Sequence, residues 1–179
     1  MKKIIITIDG PAASGKGRIA KYIAKKYNLL HIDSGLLYRK VAKLLIDYKI
    51  DLNNTNQIKK KLINTKKLSL RNYNNLRNEQ IGKVTSLIAK MNLIREYVNK
   101  QQIMYTKQKT EKKGFVVDGR DIGSVVFKNA DLKVFIEVKA SVRAKRRHKQ
   151  LIDLGEKSIY AEILKEIKLR DKQDIARSN

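Results

Sequence analysis

The chain contains no cysteine, which excludes disulfides and thiolate metal sites. It also lacks any apolar run close to the ~20 residues that span a bilayer. The N-terminal stretch Ile4-Ile5-Ile6-Thr7-Ile8 ends early at Asp9 and no small-residue cleavage site follows, so it reads as a buried strand rather than a secretion signal. A cytoplasmic protein without a membrane partner is expected. Acidic residues are few, 17 against 41 Lys+Arg, for a formal net charge of +24. Such a balance attracts polyanions. Yet aromatic residues make up only 6% of the chain, leaving little for base stacking, and the lysines are spread along its length rather than gathered in one stripe. Solvated lysine faces are therefore expected rather than a specific nucleic-acid site. The abundance of Lys, Ile and Asn together fits codon choice in an A·T-rich genome.

At 179 residues the chain suits one compact α/β domain with a small insertion. Short continuous apolar strands are expected over 3–8, 29–32, 115–117 and 132–138. Between them, residues 15–27 and 34–48 carry apolar positions at helical spacing: Ile19, Ala20, Ile23, Ala24 and Tyr27, then Leu37, Val41, Leu44, Leu45 and Tyr48. Strands of this kind joined by helices predict a parallel sheet covered on both faces. Residues 49–78 are polar and weakly patterned and read as an inserted lobe. Residues 79–107, with Ile81, Val84, Ile88, Met91 and Val98 on one stripe, read as one long helix or two. Residues 141–177 read as a helical pair that turns at 153–156, with Ile159, Ile163 and Ile167 on the buried face of the second helix. The implied layout is a core over 1–48 and 108–140, an insertion over about 49–107, and a lid with C-terminal helices over about 141–179.

The strongest motif is Gly10-Pro11-Ala12-Ala13-Ser14-Gly15-Lys16-Gly17, set between a strand and a helix as a phosphate-binding P-loop requires. Glycines let the backbone wrap an anion, and consecutive N–H groups with the positive helix end face it. Lys16 can reach the β- and γ-phosphates. Most P-loops follow the lysine with Ser or Thr to hold Mg²⁺, whereas here Gly17 follows. The ion would then be held by phosphates and waters, and those waters need carboxylates. Asp33 and Asp118, each just past a predicted strand, are placed for this; Asp33 before Ser34 also suits a helix N-cap.

Four blocks in order carry a family resemblance: the Gly-x-x-x-x-Gly-Lys-Gly loop with His31-Ile32-Asp33-Ser34-Gly35-Leu36-Leu37-Tyr38-Arg39, then 115–127 around Asp118-Gly119-Arg120-Asp121, then 141–147, then 170–177. Together they resemble the bacterial cytidylate kinases among the P-loop nucleoside monophosphate kinases. The resemblance implies an α/β fold, a P-loop parallel sheet flanked by helices, with a small monophosphate-binding insertion and a helical lid. It implies ATP, with Mg²⁺, and CMP or dCMP as the partners of a monomeric enzyme. Gly10 to Arg18 would hold ATP. Ser34, Arg39, Ser86, Arg95, Arg120, Asp121, Asp174 and Arg177 would hold CMP, with Asp121 reading the cytosine amine. Lys16, Arg120, Arg146, Arg147 and Arg170 would stabilise the transferring group. The competing readings are a P-loop kinase for uridylate, adenylate or a small metabolite, and a basic nucleic-acid-binding protein without catalysis. Gly17 argues against the metabolite kinases, and Asp33-Ser34-Gly35 with Asp118–Asp121 argues against the adenylate kinases.

Three departures from the family stand out. The inserted lobe is shorter than in many relatives, which loosens the expectation of base selectivity more than that of kinase activity. Relatives continue past the Arg/Asp cluster with one more strand and a helix. A chain ending at Asn179 would leave 134–136 at a sheet edge, with weak stability or association through it. Arg18 stands where the family usually has Thr; it either replaces a hydroxyl contact with charge or points to solvent. Titrating ATP into Arg18→Thr separates these: weaker binding assigns Arg18 a phosphate contact, and tighter binding denies it one.

Overall fold

The computed structural model describes residues 2–65, 67–71, 76, 78–153 and 155–176, with Glu79 described by its backbone alone. Four strands form: β1 (Ile4–Asp9), β2 (Leu30–Asp33), β3 (Gly114–Gly119) and β4 (Leu132–Phe135). Their order in the sheet is β2-β3-β1-β4. β1 runs parallel to both neighbours, with Ile4 opposite Gly114 through Asp9 opposite Gly119, and Ile6 opposite Leu132 through Asp9 opposite Phe135. Parallel strands need crossover connections, which the helices supply. All six residues of β3 are buried, as its unbroken apolar run requires. Gly114 is obligatory there, because a Cβ would stand 2.2 Å from the Ile4 carbonyl oxygen.

The chain divides into two compact units, residues 1–31 with 113–179, and residues 32–112; the division falls inside β2. In the first unit, α1 (Lys16–Lys26) buries Ala20 and Ala24, small residues that bring the helix close to the strands. They join Ile8, Leu29 and Val116 in one apolar cluster. The expected helical pair is present as α6 (Ala140–Asp153) and α7 (Tyr160–Ile175). Ala144, Ile163 and Ile167 form its core. Gly155 turns the chain at φ 75°, while Leu154 of the expected turn lies outside the described residues. Ile159 departs from the expectation: it sits before the first turn of α7 and is exposed, because the buried stripe begins at Ile163. β4 stops at Phe135, short of the expected 138, at the end of the sheet order, with Leu132 and Phe135 exposed.

The second unit holds α2 (Ser34–Asp47), α3 (Thr55–Asn64), α4 (Glu79–Ile88) and α5 (Asn92–Thr106). Three of these start on side-chain caps: Asp33 accepts from Leu36 N, Asn54 from Gln57 N, and Asn78 from Ile81 N. The stripe over 79–107 resolves into two helices, since Met91 leaves helical geometry at φ −83°, ψ 119°. The weakly patterned 49–78 contains a real helix, α3, anchored by buried Ile58 and Leu62 one turn apart.

Thr65 and residues 67–71 form no strand, and side chains of α2 and α5 bond the backbone of Thr65, Leu68, Ser69 and Arg71. Tyr97 Oη donates to Thr65 O at 2.8 Å, Gln101 Oε1 accepts from Leu68 N at 3.0 Å, and Tyr105 Oη donates to Leu68 O. Buried Lys40 donates to Arg71 O at 2.6 Å and to Ser69 O. Its desolvated ammonium is held below the usual lysine range. Among the described residues no helix is long and apolar enough to cross a membrane.

Burial pushes the Tyr97 phenol up from 10.0 to about 12. A folded-state value above the unfolded one means the contribution is complete below pH ~10 and is lost as pH climbs to ~12. Burial also raises the Tyr105 phenol, so alkaline tyrosinate titration of the native chain should show late-ionising phenols, one of which Tyr97→Phe removes.

Candidate functional site

The candidate site begins where β1 ends. Asp9 is buried, and its two carboxylate oxygens accept from Ile122 N at 2.9 Å and Gly123 N at 2.8 Å. Its carbonyl accepts from Ile136 N at 2.8 Å. Burial raises the Asp9 carboxyl above its ordinary value more than the two N–H groups lower it. Gly10 follows at φ 153°, and a Cβ on it would stand 2.5 Å from the Ile136 carbonyl oxygen. Only glycine fits this close passage. The loop then turns through Ala13 at φ 58° and Gly15 at φ 89°. α1 starts on Gly15 with no side-chain cap, which leaves the first N–H groups of the helix to a ligand. Ser14 Oγ is buried in the loop without a hydrogen-bond partner. Buried hydroxyls are ordinarily paired, so this one marks a place for an acceptor or donor from outside the chain. Lys16 Nζ rests on Pro11 O at 3.2 Å, and Arg18 is exposed on the first turn of α1.

β3 delivers the second part of the site. Asp118 is buried at its end, and its Oδ1 accepts from His31 Nε2 at 2.6 Å; a carboxylate is acceptor-only, so the imidazole proton lies on Nε2. Its Oδ2 lies 3.5 Å from where a Cβ on Gly17 would stand. The missing side chain at Gly17 is thus replaced by a carboxylate facing the start of α1. Among the described residues no three His, Asp or Glu side chains gather to hold a metal. A single carboxylate beside a phosphate loop suits a cation bound mainly by phosphate and water.

The predicted arginines separate by position. Arg120 pairs with Asp174 of α7. Arg146 lies over the phosphate loop, Nη1 3.5 Å from Ser14 O. Its neighbour Arg147 turns to Gln150 at 3.2 Å, since adjacent helical residues point apart. Arg170 is half-buried on α7, and Asp121 stands half-buried before the one-turn π-helix 122–126. In the second unit, Ser34 is buried at the start of α2 and Arg39 donates to Leu76 O at 3.2 Å. Ser86 Oγ donates to Gly82 O, and Arg95 is half-buried on α5. Asp33 caps α2. Arg177 lies outside the described residues.

Sequence reasoning passed over three residues: Asp9, read only as the end of an apolar run; His31; and Arg143. Arg143 is buried and donates to Val138 O at 2.8 Å, Ala12 O at 3.3 Å and both oxygens of Asp171. The signal for Asp9 was an acidic residue placed before a phosphate loop, where repulsion would make it costly without fixed donors.

The pattern of the cytidylate kinase family matches residues 6–179. The chain is 43% identical over 169 residues to the cytidylate kinase of Rickettsia rickettsii (strain Sheila Smith), covering 94% of this chain and 74% of that protein. It is 41% identical over 173 residues to the cytidylate kinase of Rickettsia akari (strain Hartford), covering 97% and 76%. Among solved structures, TT1252 from Thermus thermophilus shares the fold at a TM-score of 0.55 and 14% identity, over 97% of this chain and 81% of that one.

Removing the Asp9 carboxylate leaves the N–H groups of Ile122 and Gly123 without their acceptor. Asp9→Ala should cost about 2–5 kcal/mol in urea unfolding, and Asp9→Asn, which keeps one acceptor oxygen, should cost less.

Proposed function

This chain belongs to the cytidylate kinase family, and on that premise we propose that it transfers the terminal phosphoryl group of ATP to CMP or dCMP, giving ADP and CDP or dCDP. One observation carries the reading within the chain: the phosphate loop after β1 stands beside the Asp118–Asp121 block at the end of β3, joined by the Asp9 bonds to the following Ile122 and Gly123 and by the Asp118 carboxylate at Gly17.

Phosphoryl transfer asks little covalent work of a protein; it asks that two phosphate groups be held in line while their repulsion is neutralised. The loop from Gly10 to Arg18 takes the ATP phosphates on its backbone. Lys16 leaves the Pro11 carbonyl to follow the transferring group. Arg146, already over the loop, adds charge to it; Arg147 and Arg170 are the further candidates on the lid helices. Guanidinium forks suit this because they bind phosphate oxygens in pairs. Arg120 exchanges Asp174 for the CMP phosphate, which frees Asp174 for the ribose. Asp121 accepts the cytosine amine; a uracil carbonyl there would leave the carboxylate unpaired, a mismatch that sites penalise heavily. Ser34, Arg39, Ser86, Arg95 and Arg177 complete the monophosphate side. Mg²⁺, when bound with ATP, would neutralise phosphate charge, and Asp118 and Asp33 would hold its waters. No general base is assigned. The placement is cytoplasmic, where both nucleotides occur.

An ADP-release assay with ATP and Mg²⁺ against CMP, dCMP, UMP, AMP and GMP tests this. Turnover should be strong with CMP and dCMP and fall at least about 100-fold in Lys16→Ala, in keeping with loss of a charged group acting on the transition state. Equal turnover of UMP, or none with any monophosphate by the folded chain, would overturn it.

A further inference from the structure

Ala13 has a backbone that its side chain disfavours. Its φ of 58° lies in the left-handed region, which residues with a Cβ seldom occupy. Ser14 N donates to Pro11 O at 3.4 Å, so residues 11–14 form a four-residue turn with Ala12 and Ala13 at its centre. A positive φ at the third position is the mark of a type II turn and calls for glycine or asparagine; a type I turn has φ near −90° there. The two types differ by a flip of the central peptide, which reverses the Ala12 carbonyl and the Ala13 N–H together.

That carbonyl is the one Arg143 holds. Nη1 of Arg143 donates to Ala12 O at 3.3 Å and to Asp171 Oδ1 at 3.0 Å, Nη2 donates to Asp171 Oδ2, and Nε donates to Val138 O at 2.8 Å. The residue is 3% exposed. Its planar fork is therefore fixed from three sides, by the chain before α6, by α7 and by the loop. A rigid donor on one face of a peptide selects the flip that turns its oxygen that way. In a trans peptide the N–H then points the other way.

We infer that Arg143 is a positioning residue for the phosphate loop: it locks the Ala12–Ala13 peptide in the flipped orientation and so aims the Ala13 N–H at the nucleotide phosphate. The inference rests on the kinase reading. The Arg143 fork is engaged by protein acceptors, whereas Arg146 lies over the loop with Nη1 3.5 Å from Ser14 O. Through Asp171 it also ties the loop's geometry to the packing of α6 on α7.

The test measures ADP affinity by calorimetry on the whole chain, with CMP affinity and melting temperature beside it. Arg143→Met should weaken ADP binding about tenfold and weaken CMP binding less, since of the contacts it loses Ala12 O lies in the phosphate loop, while Val138 O and Asp171 are not among the residues proposed for CMP. Adding Ala13→Gly should recover most of the loss, because glycine takes a positive φ without help. A purely structural Arg143 would show no such rescue. Ala13→Val on the otherwise native chain should weaken ADP binding while the chain still folds, since Ala13 is exposed and the added strain at its positive φ falls on the loop; this variant decides the matter if Arg143→Met does not fold. Folded Arg143→Met binding ADP as tightly as the native chain, a double variant no better than Arg143→Met, or native affinity in Ala13→Val would overturn the assignment. A native chain that binds no ADP would overturn the kinase reading and the inference with it.

Discussion

The carboxylate of Asp9 is the constraint from which the first unit is built. One residue at the end of β1 receives the chain after β3 on its two side-chain oxygens and the chain after β4 on its carbonyl. Strand ends that would otherwise splay are fixed to one point, and the next residue opens the phosphate loop. An ionised carboxylate next to an anion site would be repelled and would weaken the ligand. Here its charge is spent on two backbone donors, and burial makes ionisation harder, so the repulsion is reduced while the anchor remains. Gly10 serves the same junction, because its passage against the Ile136 carbonyl admits no side chain.

The chain carries many cations, and the structure sorts them by what they already hold. Arg143 is buried and committed to carbonyls and a carboxylate; Arg120 is held by Asp174; Arg146 lies over the loop; Arg147 turns outward to Gln150. A buried, fully engaged guanidinium shapes backbone. A partly exposed one held by a carboxylate can trade that partner for phosphate at modest cost, because both partners offer the same paired oxygens. The high net charge thus does not describe one electrostatic surface. It divides into structural forks, exchangeable forks and solvated lysines.

In the second unit, among the described residues, the stretch after α3 is held by side chains rather than by a sheet. Tyr97, Gln101, Tyr105 and Lys40 bond the backbone of Thr65, Leu68, Ser69 and Arg71. Each such bond must overcome the entropy of ordering its own side chain, which a strand ladder avoids. The segment consequently depends on several buried polar residues, including a desolvated lysine that no periodicity argument would place inside. Lys40 lies on the face of α2 that also carries Leu36 and Leu37, and its long apolar stem lets it pass for a core residue with a polar tip.

Much of this was readable from local order in the sequence. The phosphate loop, the buried strands, the helical pair and the family resemblance all rest on near neighbours: glycine spacing, apolar runs, i to i+4 stripes. Such signals survive because covalent geometry and helical or extended periodicity act over a few residues. α3 escaped notice because only two buried apolar residues, Ile58 and Leu62, mark it within a polar stretch. Ile159 was assigned to a buried face that begins one turn later. Partnership across the fold was beyond local reading. That Asp9 clamps residues 122 and 123, that His31 pairs with Asp118, and that Arg143 rather than a nearer group holds the Ala12 carbonyl are contacts between residues 87 to 131 positions apart. The sequence by itself determined which chemistry the chain carries. The tertiary structure alone decided which cation serves the backbone and which lies over the phosphate loop, because a guanidinium has the same charge wherever it stands and only its surroundings settle what it binds.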